Sequence, residues 1–392
     1  MKAIVRFVVT LALLAFLASG AALAQTIRLG AVVSATGSAS ALGQPEANTL
    51  RMLEDQLNAA GGIAGMPVEI TVLDDATETS QAVVNVRRLI EQEKVHAVIC
   101  CTTSPVSLAI LDTVQSAGVP NISLAAAVSI IEPVAERHWV FKTPQTDRLM
   151  IAGIVKNMQA KGIRTAAFVG LDDAYGEGGL HEFQQAASTA GIDIIDTERY
   201  GRNDTDVTPQ ALKVATRNPD AVLVWGVVRD SALVVDALVG QGYNGQIYVS
   251  HGVGNPEFLQ LGGDAVNGVL LPIGPLLVAD QLPDSNPLKR VDQAYAEAYD
   301  RQFGAGTAST FGGHAYDAVH LLKLAIEDAV AKGADMNDLP AARAAIRDSL
   351  EAIGPFTGVG GVFDFTPEDH LGLDERALVI VQVQNGDWQL VE

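Results

Sequence analysis

The sequence predicts an α/β protein built from two doubly wound parallel-sheet lobes, and three observations support this fold class. Short apolar strand patterns alternate with helical patterns along most of the chain, and repeated β-α-β units form parallel sheets with helices on both faces. The chain has 392 residues, which is more than one ordinary domain. Its composition of 48% hydrophobic and 18% charged residues excludes a disordered chain.

The first 24 residues have the pattern of a secretory signal peptide. Lys2 and Arg6 form a positive start, residues 8–17 are apolar, and Ala22-Leu23-Ala24 is a cleavage pattern of small residues. The apolar stretch is shorter than the roughly 20 residues that span a membrane. We therefore expect cleavage after Ala24 and a soluble mature protein in the periplasm.

The first β/α run extends from about Gln25 to Lys142. Its predicted strands are Ile27–Val33, Val68–Leu73, Val95–Cys100 and Val119–Leu124. Its predicted helices are Ala47–Ala60, Gln81–Lys94 and a third that begins at Ser104-Pro105 and ends at Gly118. Serine at the N-cap and proline at the first helical position are typical of such a start.

The second run extends from about Thr143 to Pro272. Its predicted helices are Asp147–Ala160, Gly176–Ala190, Pro209–Arg217 and Asp230–Val239, and its strands are Thr165–Gly170, Ile192–Tyr200, Ala221–Gly226 and Gln246–Ser250. Long helices are predicted next at Lys289–Phe303, His314–Lys332 and Asp338–Leu350. The chain ends in a predicted hairpin, Ala377–Val383 and Trp388–Val391, with a turn at Asn385-Gly386.

Charge and motifs exclude several function classes. Lys+Arg is 26 against Asp+Glu 46, and a net charge of −20 disfavours nucleic-acid binding. The sequence has no G-x-S-x-G elbow, P-loop or H-E-x-x-H motif, and its seven histidines are not paired at metal-binding spacing. Asp74-Asp75 fits a strand-end cap better than a catalytic pair. We therefore expect no enzyme activity, no metal and no cofactor.

In open parallel sheets, ligands bind in the loops that follow the strands. Five such loops are candidates here, and each has a structural alternative. The hydroxyl of Ser104 could hold a carboxylate, or could serve only as an N-cap. The small loop Ala125-Ala126-Ala127 allows a ligand close to the backbone, or packs against a neighbour. Tyr175 suits a lid that stacks on a ligand, or a surface position.

The two remaining loops follow later strands. Trp225 and Val227 could line an apolar pocket, although core packing fits Trp225 better. His251 could donate a hydrogen bond to a ligand, although a lone histidine is more often structural. Cys100 and Cys101 cannot build a disulfide framework or a zinc site alone, and we expect them buried at a strand end as inert small hydrophobes, with a reactive thiol as the alternative.

Together these segments resemble ABC-importer substrate-binding proteins of the leucine/isoleucine/valine-binding family. The resemblance covers nearly the whole mature chain and depends on the order and spacing of its landmarks. The landmarks are Asn58 to Gly65, Asp74-Asp75, Ser104, Ala125–Ala127, Tyr175-Gly176-Glu177-Gly178, and Gly252 to Asn255 ahead of Gly262-Gly263.

The resemblance implies the type I periplasmic-binding fold, in which two lobes joined by a three-stranded hinge close on a ligand. It divides the chain into lobe 1, residues 25–143 plus 275–350, and lobe 2, residues 144–274 plus 351–392. It also implies that Ser104 and the backbone of Ala125–Ala127 hold a ligand carboxylate, while Tyr175 closes over the ligand from lobe 2.

The chain departs from the amino-acid-binding members of this family at four positions. Ala127 replaces a threonine and His251 replaces an acidic residue, both of which hold the ligand ammonium in the family. Val227 replaces a tyrosine, and Leu42 replaces another aromatic residue. The family disulfide is also absent, with threonines near both of the expected cysteine positions (Thr77 and Thr103).

A buried ammonium without acceptors is costly, and a neutral histidine accepts only one hydrogen bond. We therefore expect a carboxylate with an apolar or aromatic body, such as a phenyl carboxylate or a branched-chain oxo-acid. Asp172 or Asp173 could supply the missing charge and would then restore amino-acid binding.

The sequence thus predicts a soluble periplasmic protein, expected to be a monomer, that closes its hinge on a small carboxylate and delivers it to ABC permease subunits. Two alternatives stay open. One is a sensor that passes the ligand signal to a receptor, and the other is a secreted α/β enzyme, for which Ser104 and His251 have no defined acid partner.

Overall fold

A computed structural model describes residues 25–391 of the chain. The predicted signal peptide and its cleavage site therefore lie outside the described residues, apart from the Gln25 that follows the cut. Within the described part, no helix is both long and apolar enough to cross a membrane.

Twelve α-helices and fourteen strands alternate along the described chain. The helices are α1 Ser40–Ala59, α2 Thr79–Glu91, α3 Ser104–Ala109, α4 Leu111–Ala117, α5 Asp147–Ala160, α6 Ala174–Ala190, α7 Thr208–Arg217, α8 Val228–Gly240, α9 Pro256–Gly262, α10 Lys289–Phe303, α11 Thr310–Ala331 and α12 Leu339–Leu350. The strands are β1 Ile27–Val33, β2 Val68–Asp74, β3 Ala97–Cys100, β4 Asn121–Ser123, β5 Val140–Lys142, β6 Thr165–Leu171, β7 Asp193–Tyr200, β8 Ala221–Trp225, β9 Gln246–Val249, β10 Leu270–Ile273, β11 Phe356–Thr357, β12 Val362–Phe363, β13 Val379–Gln384 and β14 Asp387–Leu390.

The strands form two main sheets, one in each lobe. The lobe 1 sheet has the order β2-β1-β3-β4-β5 and is parallel throughout. The lobe 2 sheet has the order β14-β13-β10-β9-β8-β6-β7, with parallel pairs from β10 to β7 and an antiparallel hairpin, β13 and β14, at its edge. The predicted two-lobed α/β fold is therefore confirmed.

Each sheet is covered by helices that bury apolar side chains. In lobe 1, α11 packs against α1 and α12, and its apolar residues join those of β1 and β3 in one core. In lobe 2, α5 and α6 pack together and share a core with β6, β8 and β9. The central strands β3 and β8 are buried at every position, as expected for parallel strands covered on both faces.

The chain passes between the lobes after β5, after β10 and before β13. Gln145 in the first crossing donates from Nε2 to the carbonyls of Gly360 (2.8 Å) and of Ala377 (3.0 Å). Thr143 donates from Oγ1 to the carbonyl of His314 at 2.9 Å. Phe363 belongs to the lobe 1 core, so we propose that the third crossing lies close to Ala377, later than the division drawn from the sequence.

Helix α1 begins at Ser40 rather than at the predicted Ala47, although Gly43 and Pro45 lie in its first two turns. Gly43 is required by a close approach, since a Cβ there would lie 2.2 Å from the backbone carbonyl of Ser34. Pro45 has no N–H to donate to the carbonyl of Ala41, four residues earlier, and that carbonyl stays free for another partner. Glycine and proline are rarely found inside helices, so the sequence pattern did not predict the first turns of this helix.

The two cysteines are fully buried at the end of β3, as predicted. A disulfide joins Cys100 to Cys101, so neither is a free thiol, and this link corrects the expectation of two inert or reactive thiols. The Cys101 amide donates to Oγ of Ser107 at 3.1 Å. The following residues, Thr102 and Thr103, lead directly to the first turn of α3.

Candidate functional site

A small cavity of about 40 Å³ lies between the two lobes at the carboxyl ends of their parallel strands. Lobe 1 contributes side chains from four loops and helices, lobe 2 contributes five residues, and the first crossing contributes Pro144. The lining residues are Leu42, Thr102, Thr103, Ser104, Leu124, Ala125, Ala126, Pro144, Tyr175, Arg202, Val227, His251, Gly252, Phe311 and His314.

Most of the residues predicted for the site meet at this cavity. Seven of the eight line it: Leu42, Ser104, Ala125, Ala126, Tyr175, Val227 and His251. Ala127 lies just behind, and its amide donates to Oγ of Ser104 at 3.2 Å. Trp225 is fully buried in the lobe 2 core and does not line the cavity, in keeping with its structural alternative.

Ser104 differs from the prediction in one detail. The N-cap of α3 is Thr103, whose backbone is extended, and Ser104 is the first helical residue. The Ser104 oxygen accepts the Ala127 amide, so its O–H hydrogen is available to a ligand oxygen. Ser104 is only 2% exposed, which makes it a shielded donor in the wall of the cavity.

A buried lysine lies behind the small-residue loop. Nζ of Lys142 donates to the carbonyl of Ala126 at 2.7 Å and to that of Gln145 at 3.3 Å. Burial lowers the pKa of Lys142 to about 7, against the opposing effect of Asp147. The lobe 1 end of the cavity therefore has a basic group close behind its backbone.

On the lobe 2 side, three rings pack together. The Tyr175 ring centroid lies 5.5 Å from that of Trp225 and 6.1 Å from that of His251, and the Trp225 and His251 centroids are 5.7 Å apart. Tyr175 is 5% exposed, so it is enclosed rather than at the surface. Trp225 thus packs against Tyr175 and His251 on the side away from the cavity.

His251 is uncharged at neutral pH. Burial lowers its pKa to about 3, and the nearby Lys142 and His314 act in the same direction. The ring lies near the carbonyl of Gln145, but neither ring nitrogen makes a hydrogen bond of good geometry. A neutral imidazole of this kind offers a ligand one donor and one acceptor but no negative charge.

Eight lining residues were not among the predicted site residues: Thr102, Thr103, Leu124, Pro144, Arg202, Gly252, Phe311 and His314. Three of them, Arg202, Phe311 and His314, bring large side chains. Arg202 follows strand β7, so the rule that ligands bind beyond strand ends could have found it. Phe311 and His314 lie at the start of α11, which begins four residues before the predicted His314. No strand precedes that helix, so the sequence gave no signal for them. Burial lowers the pKa of His314 to about 3.

The acidic pair Asp74-Asp75 is structural. Asp75 accepts from Oγ of Ser34 at 2.7 Å and from the amide of Thr77 at 2.8 Å, while Asp74 accepts from the amide of Thr36 at 3.1 Å. Neither carboxylate lines the cavity. Among residues 25–391, no group of three or more His, Cys, Asp or Glu side chains could hold a metal ion.

Several comparisons place this chain among known proteins. The family model described as "Periplasmic binding protein" matches residues 26–387. The Leu/Ile/Val-binding protein BraC3 of Rhizobium johnstonii is 26% identical over 84% of this chain and 87% of its own. A solved extracellular ligand-binding receptor from Rhodopseudomonas palustris HaA2 has a TM-score of 0.88 and 33% identity, and the match covers 93% of this chain and 99% of that one.

A further solved structure is the branched-chain amino acid transporter substrate-binding protein LivJ of Streptococcus pneumoniae, in complex with isoleucine. It has a TM-score of 0.80 and 25% identity, over 94% of this chain and 99% of that one. The chain belongs to the periplasmic binding protein family. The family resemblance seen in the sequence, to the branched-chain amino acid type with the type I fold, is confirmed.

Two contacts hold the lobes of this binding protein together beside the cavity. The carbonyl of Gly254, in the loop after β9, accepts from the amide (3.0 Å) and from Oγ1 (3.1 Å) of Thr310 at the start of α11. Nδ2 of Asn255 donates at 2.7 Å to the carbonyl of Ala41, which Pro45 leaves free. We call these bonds the interlobe contact.

The four family departures all fall on or beside the cavity. By the resemblance seen in the sequence, we expect His251 at the position of the family's ammonium-binding acid and Ala127 at that of its threonine; His251 lines the cavity and Ala127 lies behind it. Asp172 and Asp173, which could have supplied the missing charge, do not line the cavity. Asp173 instead pairs with Arg202 and accepts from the first amides of α6, those of Tyr175 (2.9 Å) and Gly176 (3.2 Å).

Proposed function

We propose that this binding protein captures a small carboxylate without an α-ammonium group and delivers it to an ABC permease. One observation carries the proposal: the residues that line the cavity include a guanidinium and no carboxylate. Because Asp173 pairs with that guanidinium, the lining offers an ammonium no free carboxylate, while the Ser104 hydroxyl can donate to a carboxylate. Its relative LivJ is a branched-chain amino acid transporter substrate-binding protein, which supports a role in transport. The side chains of this chain favour a different ligand class.

The cost of burying an ammonium here is the physical reason. An unpaired buried charge costs several kcal/mol, and the groups near the expected ammonium position are the neutral His251, Ala127 and the basic Lys142. The buried Asp147 accepts from the amide of Val128 at 3.2 Å, and its charge is balanced by that of Lys142. The carboxylate of Asp173 at the start of α6 is already paired with Arg202. An α-amino acid would therefore lose much of the binding energy that its carboxylate gains.

The polar groups of lobe 1 suit the carboxylate. The free O–H of Ser104 can donate to it, and Lys142 polarises the adjacent loop through the carbonyl of Ala126. A hydrogen bond to a charged group contributes about 1.5–3 kcal/mol. Ser104 is therefore the residue on which we expect carboxylate affinity to depend most directly.

Apolar side chains line much of the remaining wall. They come from both lobes, and an apolar body held between them would be removed from water on closure. The residues are Leu42, Leu124, Val227, Phe311 and the ring of Tyr175. Burial of apolar area contributes about 25 cal/mol per Å². A branched or aromatic carboxylate fits this wall better than a polar one.

Capture follows from the two-lobe construction. The ligand binds between the lobes, the hinge closes, and the interlobe contact forms beside it, which excludes water from the cavity. The closed form then presents the surfaces of both lobes together, which a membrane permease can recognise. We expect the mature protein to act as a monomer in the periplasm, since one hinge completes the site.

The test is a thermal-shift screen of mature protein freed of ligand by unfolding and refolding. The panel contains aliphatic amino acids, aromatic carboxylates and branched-chain oxo-acids. A ligand at a thousandfold excess over its Kd adds about 4 kcal/mol to stability. We expect shifts with the acids and none with leucine or valine, and the reverse pattern would contradict the proposal.

A matched pair of variants tests the cause. The A127T/H251E double variant restores the two groups with which the family holds an ammonium, and we expect it to gain leucine binding. The S104A variant should lose carboxylate binding in both backgrounds. If the double variant does not bind leucine and binds the acids as the parent does, Ala127 and His251 do not determine the ligand specificity.

A further inference from the structure

Arg202 is the charged side chain that faces the cavity from lobe 2. It lies in the loop after β7, and its side chain is 14% exposed. It lines both the cavity and an open cleft between Gly37-Ser38 of lobe 1 and the start of α8 in lobe 2. Arg202 therefore separates the enclosed site from the cleft outside it.

The guanidinium is only partly satisfied. Nη2 of Arg202 pairs with Oδ2 of Asp173, whereas Nη1 is buried and has no hydrogen-bond partner. A buried donor without an acceptor is costly, so a binding protein that keeps one at its ligand cavity gains when the ligand supplies the acceptor. Asp173 itself is held in place because it caps α6.

The charge balance indicates what kind of acceptor fits. Asp173 already compensates the positive charge of Arg202, so no second anion is required at this end. At the lobe 1 end, Ser104 and the nearby Lys142 already suit the ligand carboxylate. An uncharged oxygen can therefore accept the missing hydrogen bond from Nη1 of Arg202. It does so without placing another negative charge beside the carboxylate of Asp173.

We propose that the ligand carries, in addition to its carboxylate, an uncharged oxygen (a hydroxyl or a carbonyl) that accepts a hydrogen bond from Nη1 of Arg202 at the lobe 2 end of the cavity. His251 supports this assignment because its two ring nitrogens have no good partner, and a hydroxyl can both donate and accept there. The inference rests on the proposed function and narrows its substrate class to oxygen-bearing carboxylates.

The experiment compares matched acids by isothermal titration on refolded mature protein. The ring series is benzoate, 3- and 4-hydroxybenzoate and terephthalate, and the chain pair is hexanoate and 6-hydroxyhexanoate. In the series that binds, we expect at least one hydroxylated acid to have a Kd about tenfold lower than the plain acid. Equal affinities would overturn the inference, and so would a preference for terephthalate, because that would show an anionic partner for Arg202.

Variants separate Arg202 from the rest of the site. The R202K variant keeps the ion pair with Asp173 but lacks the second nitrogen, so the hydroxyl preference should disappear while the melting temperature stays close to that of the parent. The D173N/R202M variant removes the pair without leaving a lone buried charge and should show the same loss. The matched control E177Q/R199M removes the neighbouring exposed ion pair and should keep the preference.

Two outcomes distinguish this inference from the proposed function. If R202K weakens plain and hydroxylated acids equally, Arg202 holds the carboxylate, and the inference is wrong although carboxylate capture stands. If leucine binds and none of the acids binds, the proposed function itself fails.

Discussion

Replacement of Gly254 by alanine should hinder closure of the lobes without hindering folding. Gly254 accepts hydrogen bonds from Thr310 across the interlobe contact. A Cβ at position 254 would lie 2.4 Å from Oγ1 and 3.0 Å from Cγ2 of Thr310. The backbone of Gly254 has φ −67° and ψ 54°, which alanine can adopt, so the substitution introduces a steric conflict rather than backbone strain.

The free-energy cost of the G254A substitution for closure can be estimated from this steric conflict. Van der Waals contact between a carbon and its neighbour lies near 3.5 Å, so the lobes must separate by about 1 Å or the loop must shift. Overpacking of this kind costs about 1–3 kcal/mol. Because only the closed form has this contact, the cost falls on ligand binding, and it corresponds to a Kd raised by about 5- to 150-fold.

Isothermal titration gives the Kd, and thermal melting without ligand gives the stability of the fold. The G254A variant should bind more weakly and melt at the parent temperature. The G254A/T310A variant removes the two closest atoms and should recover most of the affinity. Parent-like binding by G254A would refute the reasoning, and so would a melting temperature lowered enough to account for the whole loss.

Three further predictions concern pH, closure and packing. Burial in the closed cavity lowers the pKa of His251 and His314 from 6.5 to about 3, so the open form gains protons below pH 6.5 and closure is lost as the pH falls. The penalty at pH 5 is about 2 kcal/mol for each histidine that opening exposes, so ligand affinity should fall by about 30-fold per histidine between pH 7.5 and pH 5, and H251Q should lose the part that belongs to His251. The N255D variant keeps the N-cap of α9 but replaces the donor to α1 with a repelling oxygen; its Kd, measured by titration, should rise several-fold with no change in melting temperature. The Y200F variant removes the buried 2.7 Å bond to Asp230 and should lose about 1.5–3 kcal/mol of stability in urea unfolding, whereas an unchanged midpoint would show that this bond contributes nothing.

Much of the fold could be predicted because its signals are local. Helix α5 and helix α10 have the predicted bounds, since each begins and ends with clear changes of pattern. The hairpin turn at Asn385-Gly386 has positive φ at both residues, as that dipeptide predicts. By contrast, the short strands β5 and β10 were missed because three or four buried residues carry no period of their own.

The site was predictable only where family landmarks or strand ends marked it. Ser104, Tyr175 and His251 were found because each follows a strand in sequence. Phe311 and His314 could not be found in that way, since their helix reaches the cavity through the packing of α11 on lobe 1. Long-range packing of this kind leaves no trace in a local pattern.

The central claim is that this binding protein has no ammonium site, and one matched pair tests it most directly. Leucine and 4-methylpentanoate share the same branched chain and carboxylate and differ only by the α-ammonium group. We predict by isothermal titration of refolded protein that 4-methylpentanoate binds and that leucine binds at least 100-fold more weakly. Tighter binding of leucine would contradict the account.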